Sequence, residues 1–205
     1  MDRLCLRLTS VGVIFILIII GGCASTPPSR FYVLSPLQGD HTQAKADDTC
    51  AAISVGPVEL PDYVDRSQIV TRISPNKLSL AEFDQWAEPL KESFARVLME
   101  NLSILLCADP ISLYPSRGPT AIDYRVEVEV IRIDGRLGEQ ATLVARWNIL
   151  DEKDSKVLLT KKSNLSSPVQ GGGYEALVSA QSQTIAALSR DIAEALKTIL
   201  KQKSE

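Results

Sequence analysis

A single histidine, His41, stands in 205 residues. That scarcity excludes a His-rich metal site, a two-histidine zinc motif and any mechanism that needs a pair of imidazoles. An excess of one charge is also missing. Twenty-two Lys and Arg oppose 25 Asp and Glu, for a net charge of −3, so the chain carries no basic footprint for nucleic acid. No internal repeat is visible, and no G-x-S-x-G nucleophile elbow occurs. Gly171-Gly-Gly173 lacks both the Lys-Ser/Thr of a P-loop and the spacing of a dinucleotide fingerprint, and reads as a hinge. What remains is 45% hydrophobic and 23% charged, the composition of one globular domain able to bury its own core. These absences favour a binding or structural protein over a hydrolase, with no catalytic residue and no metal-ligand set.

The one long apolar run lies near the N-terminus. Arg3 and Arg7 precede Val11–Ile20, and Gly21-Gly22-Cys23 follows at once. A positive start, a short apolar stretch and small residues describe a secretory leader over 1–22. The run is too short for a span of roughly 20 apolar residues. Ile20-Gly21-Gly22-Cys23 resembles the bacterial lipobox, which implies cleavage before Cys23 and acylation of its thiol and new amine. Two or three acyl chains anchor stably where one does not, at ~0.8 kcal/mol per buried CH₂. Those palmitate-type chains are the only prosthetic groups expected. Ala24 stands where an inner-membrane retention signal would carry Asp, which favours the inner leaflet of the outer membrane with the domain on the periplasmic face. Two bases and one acid leave with residues 1–22, taking the net charge to −4, so the acyl chains must do the anchoring.

Cysteine use follows from that address. Cys5 departs with the leader and Cys23 is acylated, leaving Cys50 and Cys107 in an oxidising compartment. That setting favours a disulfide between them, closing a long loop worth about 4 kcal/mol in the chain-entropy model. The alternative is two free thiols, with Cys107 a small core residue after Leu105-Leu106.

The mature chain divides into a tether over 23–50 and a single domain over 51–205. The tether holds Pro27, Pro28, a polar stretch around His41 and a strand-like run Arg30–Leu34 expected to dock on the main sheet. As a coil it would let the domain stand off by something on the order of 25 Å. Ile53 and Val55 begin a strand limited by Pro57, and Ile69–Ile73 with Leu78–Leu80 flank a Ser74-Pro-Asn-Lys77 turn as a hairpin. Trp86, Leu90, Phe94, Val97, Leu98, Leu102 and Leu105 recur at helical spacing, predicting a helix over about 86–106 with Pro89 in its first turn. Ile111–Tyr114 reads as a short strand stopped by Pro115. Alternation through Tyr124–Val130 slips phase at Ile131, which predicts a bulge, and two further strands complete a meander. A second amphipathic helix runs from Tyr174 to about residue 201. The fold class is α+β: a largely antiparallel sheet with two long amphipathic helices packed on it.

Four segments in order carry a family resemblance: the lipobox, Phe31-Tyr-Val-Leu34, the run Val55-Gly-Pro-Val-Glu-Leu-Pro-Asp-Tyr-Val-Asp-Arg66 with Ile69-Val-Thr-Arg72, and Trp86-Ala-Glu-Pro-Leu90. With these the chain resembles the PqiC-type auxiliary lipoproteins of ABC-type, MCE-associated lipid transport systems. The resemblance implies a non-enzymatic lipoprotein that meets the distal end of a periplasm-spanning MCE-domain protein. Pro61, Asp62, Tyr63 and Arg66 are the expected protein-interface residues, either docking a partner or holding a structural turn. Were the family to assemble as a homo-oligomeric ring, strand edges and this loop would form the contacts. A lipid carrier and a structural or assembly lipoprotein of the outer membrane are the other two readings. The first of these would need a deep apolar cavity within the sheet.

Overall fold

Strict alternation in Tyr124–Val130 puts one face of a strand in the core and the other in water. In the computed structural model, which describes residues 27–39, 51–106, 110–115 and 121–204, that segment belongs to β6 (Tyr124–Gly135). β7 (Gln140–Asp151) and β8 (Lys156–Pro168) follow it as an antiparallel meander. The register of β6 on β7 shifts between Val130 and Arg132, as the phase slip predicts. The bulge leaves Ile131 partly exposed and returns Ile133 to the core. β2 (Ile53–Glu59) and β5 (Ile111–Leu113) add parallel to this meander, in the order β5-β2-β6-β7-β8. β2 does not stop at Pro57. A register shift between Val55 and Val58 carries the strand past the proline to Glu59.

The hairpin forms as expected, from β3 (Gln68–Ser74) and β4 (Lys77–Trp86), but in a second sheet. Its third member is β1 (Arg30–Tyr32), which pairs parallel with the end of β4, Phe31 opposite Gln85 and Tyr32 opposite Trp86. β1 therefore docks on this small sheet, order β1-β4-β3, and not on the large one.

Helix α1 spans Leu90–Leu105 and α2 spans Tyr174–Ser204. α1 begins four residues later than the apolar spacing indicates, because Pro89 is its N-cap with extended ψ and the residue before a proline is biased away from helix. Trp86 consequently closes β4 instead of opening α1, though it is core as its spacing requires. α1 lies over β2 and β5, α2 lies over β7 and β8, and the helices touch each other. Both cover the same face of the large sheet. The space between is filled by Ile53, Phe94, Leu98, Val126, Trp147, Leu188 and Ile192, each fully buried. At one end α2 rests on bare backbone: a Cβ on Gly135 would lie 2.6 Å from Leu177 Cδ1 and 2.8 Å from the Gln140 carbonyl. The opposite face carries solvated ion pairs such as Arg146–Glu129 at 2.7 Å.

Beyond β1 the chain crosses the helix pair. Leu34 is buried, Ser35 N donates to Ser182 Oγ at 3.1 Å, and Leu37 N donates to Asn101 Oδ1 at 2.6 Å. Buried Asn101 in turn donates from Nδ2 to Ser189 Oγ, linking α1 to α2. Residues 30–37 are thus packed onto the domain.

Candidate docking site at the end of the small sheet

Between β2 and β3 the chain makes a tight turn, closed by Val64 N donating to the Pro61 carbonyl at 3.0 Å and Arg66 N donating to the Val64 carbonyl at 2.9 Å. Val64 plugs into the core, so the residues around it divide between inside and outside. Pro61 is half-buried, while Asp62, Asp65 and Arg66 are exposed. Tyr63 turns inward, and its hydroxyl donates to Asp134 Oδ2 at 3.3 Å. Burial, then the neighbouring Asp134 charge, raises the Tyr63 phenol above its ordinary pKa.

Asp134, at the end of β6, is fully buried and joins the two sheets. Its Oδ2 accepts Arg72 Nε at 2.8 Å and Nη2 at 2.6 Å, and its Oδ1 accepts Arg132 Nε at 2.9 Å. Burial alone would raise this carboxyl, but hydrogen bonds from Arg72 and Arg132 outweigh it and hold the group below the usual carboxylate range. Asp84 on β4 repeats the arrangement. It is buried, accepts Arg30 Nη2 and the Tyr32 hydroxyl at 2.7 Å each, and is also held low against the opposing effect of burial.

Three separate segments meet beside these carboxylates. Trp86 N donates to the Ser67 carbonyl at 2.7 Å, and Ala87 N donates to the Tyr32 carbonyl at 2.9 Å. The Phe31–Leu34 run, the Pro61–Arg66 loop and the Trp86–Leu90 segment are therefore sewn together. The loop and the β4–α1 junction frame an open cleft of about 350 Å³, lined by Asp65, Arg66, Ser67, Trp86, Glu88 and Pro89. Its floor is apolar and its rim charged. Glu88 accepts a hydrogen bond from Arg96 Nη2, which with that of Ser93 holds its carboxyl below its ordinary value. Arg66 is the exposed cation facing this rim. Such a surface can seat a peptide through an apolar anchor and paired charges. Among the described residues no cluster of His, Cys, Asp and Glu could hold a metal ion, and no helix is long and apolar enough to cross a membrane.

The sequence pattern marks the loop, the Trp86 segment and Arg72 as the end of the Ile69–Arg72 run, but gives Arg72 no role and does not single out Asp84 or Asp134. The available signal was an acid at an inward strand position, Asp84 two residues before Trp86 and Asp134 after Arg132. Cys23, Cys50, Cys107 and His41, with the leader 1–22, lie outside the described residues.

A small mixed sheet beside a five-stranded sheet with two helices on one face defines a single-domain α+β fold with an open cleft at the end of the small sheet. The sequence matches the ABC-type transport auxiliary lipoprotein component family over residues 32–193, and the chain belongs to that family. It is similar to the intermembrane transport lipoprotein PqiC of Escherichia coli K12 and to that of Shigella flexneri. Each is 23% identical over 180 residues, 88% of this chain and 93% of the relative. Among solved structures, protein XCC0632 of Xanthomonas campestris superposes with a TM-score of 0.69 at 14% identity, over 85% of this chain and 98% of that one. An uncharacterised protein gives 0.66 at 21% identity, over 83% and 99%. These two likenesses establish the fold. The chain is thus a PqiC-type auxiliary lipoprotein, a component that serves an ABC-type transport system.

Proposed function

We propose that this lipoprotein is the acylated, non-catalytic docking component of an intermembrane lipid transport system. In this reading Cys23 is the first mature residue and carries the acyl chains. They hold the protein in the inner leaflet of the outer membrane, and the domain works in the periplasm. The Asp65–Pro89 cleft receives the distal end of an MCE-domain protein. The observation that carries this reading is the meeting of two family-like segments, the Pro61–Arg66 loop and Trp86–Leu90, on one exposed cleft with an apolar floor and a charged rim, its Ala87 wall tied to the third segment through the Tyr32 carbonyl. Arg66, exposed on the rim, is the expected anchor, since its planar fork suits carboxylates. Tyr63 orients the loop from beneath through Asp134.

A Cys50–Cys107 disulfide belongs to the same proposal. Ala51 and Leu106, their described neighbours, are both buried in the core where α1 packs on β2. A maleimide gel shift tests it: two freely alkylated thiols in the native protein remove the claim.

Site-directed photo-crosslinking in the intact envelope tests the docking role. A photoreactive residue at position 66 should capture the MCE-domain protein, and one at exposed Val157 on β8 should not. Normal export with no capture from position 66 would reject the cleft as the docking surface. Labelling with a clickable palmitate analogue should mark the wild type, and undiminished labelling of Cys23→Ser would reject acylation there.

A further inference from the structure

We propose that Phe31 and Val33 form a membrane seat, a small apolar surface that rests in the phospholipid headgroup layer and fixes the orientation of the domain. Strand geometry creates the surface. Arg30 and Tyr32 both bond to Asp84 on one face of the strand, so the alternate residues Phe31 and Val33 project from the other, where they are 63% and 49% exposed. Phe31 lies on β1, the edge strand of the small sheet, and Val33 follows directly after its end. Beside them an open groove of about 470 Å³ runs along the start of α2, lined further by Glu175, Val178, Ser179 and Ser182. An exposed aromatic and a β-branched residue on a free edge are normally avoided at a protein surface.

The occupant follows from chain length. This inference rests on the proposed acylation of Cys23. Only residues 24–29 separate that cysteine from Arg30, and Pro27-Pro28 favours an extended path. Seven residue steps at the polyproline rise of about 3.1 Å reach roughly 22 Å. The packing of residues 30–37 removes the remainder of the tether, so the slack is far less than a free 23–50 segment would provide. β1 is therefore held close to the bilayer surface. An aromatic ring at such a depth belongs in the headgroup layer, and its aliphatic neighbour adds buried apolar area. Two charged side chains flank the seat. Arg30 remains 63% exposed beyond its contact with Asp84 and can reach a lipid phosphate, whereas Glu175 on α2 faces the groove and must stay in the water.

The seat gives a single-point anchor a second contact, and two contacts define an orientation. The N-terminal end of α2 lies near the membrane. The Asp151–Lys203 pair at its other end lies farther away, along a helix about 45 Å long. The cleft, joined to β1 through the Ala87–Tyr32 hydrogen bond, then opens close to the leaflet.

Tryptophan depth measurements test this on the full-length acylated protein, reconstituted into vesicles of phosphatidylethanolamine with phosphatidylglycerol as the minor lipid. Trp86 and Trp147 are buried, so the wild type supplies the baseline. In vesicles with brominated acyl chains, Phe31→Trp and Val33→Trp should each lose emission relative to plain vesicles. Val157→Trp, on the β8 end near Asp151, should not. Flotation with the vesicles is recorded in the same sample. Flotation without quenching at either position overturns the seat alone. Failure to float overturns acylation at Cys23, and the seat with it. A blue shift in the emission of the Phe31→Trp variant that needs no vesicles and grows with protein concentration assigns the surface to a second copy and likewise overturns the proposal.

Discussion

Arg72 meets Asp134 at 2.6 Å across the boundary between the two sheets, with the carboxylate wholly buried and the guanidinium largely so. Tyr63 and Arg132 complete the ring of donors around it. One buried acid thus sets the small sheet, the loop and the end of β6 in one fixed relation. The cleft depends on that relation, because Arg66 follows Tyr63 by only three residues.

Removing one side of this cluster should be far costlier than removing both. Asp134→Ala strands Arg72 in a poorly solvated site, and breaking a buried pair costs about 3–5 kcal/mol. For a domain of this size that lowers Tm by roughly 10 °C. The paired replacement Asp134→Leu with Arg72→Met should recover most of the loss. Thermal and urea melts of the three proteins decide it; an Asp134→Ala melt equal to wild type would show that the cluster contributes nothing.

Acid should unfold the protein through the same group. The Asp134 and Asp84 carboxyls are both held below their ordinary values, so the unfolded chain binds more protons than the folded one in the acid range. Stability they supply is present above the unfolded carboxylate pKa of about 3.9 and falls as pH drops through the lower folded values, with the decline starting near pH 5. Asp134→Asn should flatten the stability profile below that point while leaving its shape near neutrality unchanged. A profile as steep as wild type would locate the acid sensitivity elsewhere.

Tyr63 and Arg66 should separate into two phenotypes. Tyr63→Phe removes one hydrogen bond to a charged acceptor and should cost about 1.5–3 kcal/mol, with crosslinking from the cleft retained in the protein that stays folded. Arg66→Ala should change stability by no more than about 0.5 kcal/mol and yet weaken partner capture. A destabilised Arg66→Ala protein with intact capture would reverse these assignments.

Asn101 should hold down the N-terminal segment. Asn101→Ala leaves Leu37 N without its acceptor and removes the donor to Ser189 Oγ, which keeps its own bond to the Ile185 carbonyl, and should cost about 1–3 kcal/mol. Hydrogen exchange should then quicken over residues 34–38 before it does in the meander. Exchange that rises equally everywhere would mean that Asn101 supports only the helix pair.

Overpacking supplies a local control. A methyl at Gly135 must displace both Leu177 and the Gln140 backbone, so Gly135→Ala should destabilise by about 1–3 kcal/mol. Gly172→Ala, with open space around it, should not. Equal melts for the two variants would show that α2 can lift from the sheet without cost.

Local pattern by itself determined the meander, the bulge at Val130 and the two helix stripes, because each depends on periodicity within a dozen residues and on short turns. It was silent about the division into two sheets. Leu78 and Leu80 alternate just as Val126 and Val128 do, and nothing in that alternation says which neighbour supplies the hydrogen bonds. Trp86 shows the limit within one residue: its spacing to Leu90 and Phe94 suits a helix, yet Pro89 and the Gln85–Gln68 pairing keep it in β4. The four loop residues were legible as a turn, but which of them face water was not, since Tyr63 turns inward to an acid 71 residues away. Asp84 and Asp134 are ordinary carboxylates in the sequence. They become buried only because Arg30, 54 residues before one, and Arg72, 62 before the other, arrive to compensate them. A charge can leave water only where a partner meets it, and where partners meet is decided by packing between distant elements.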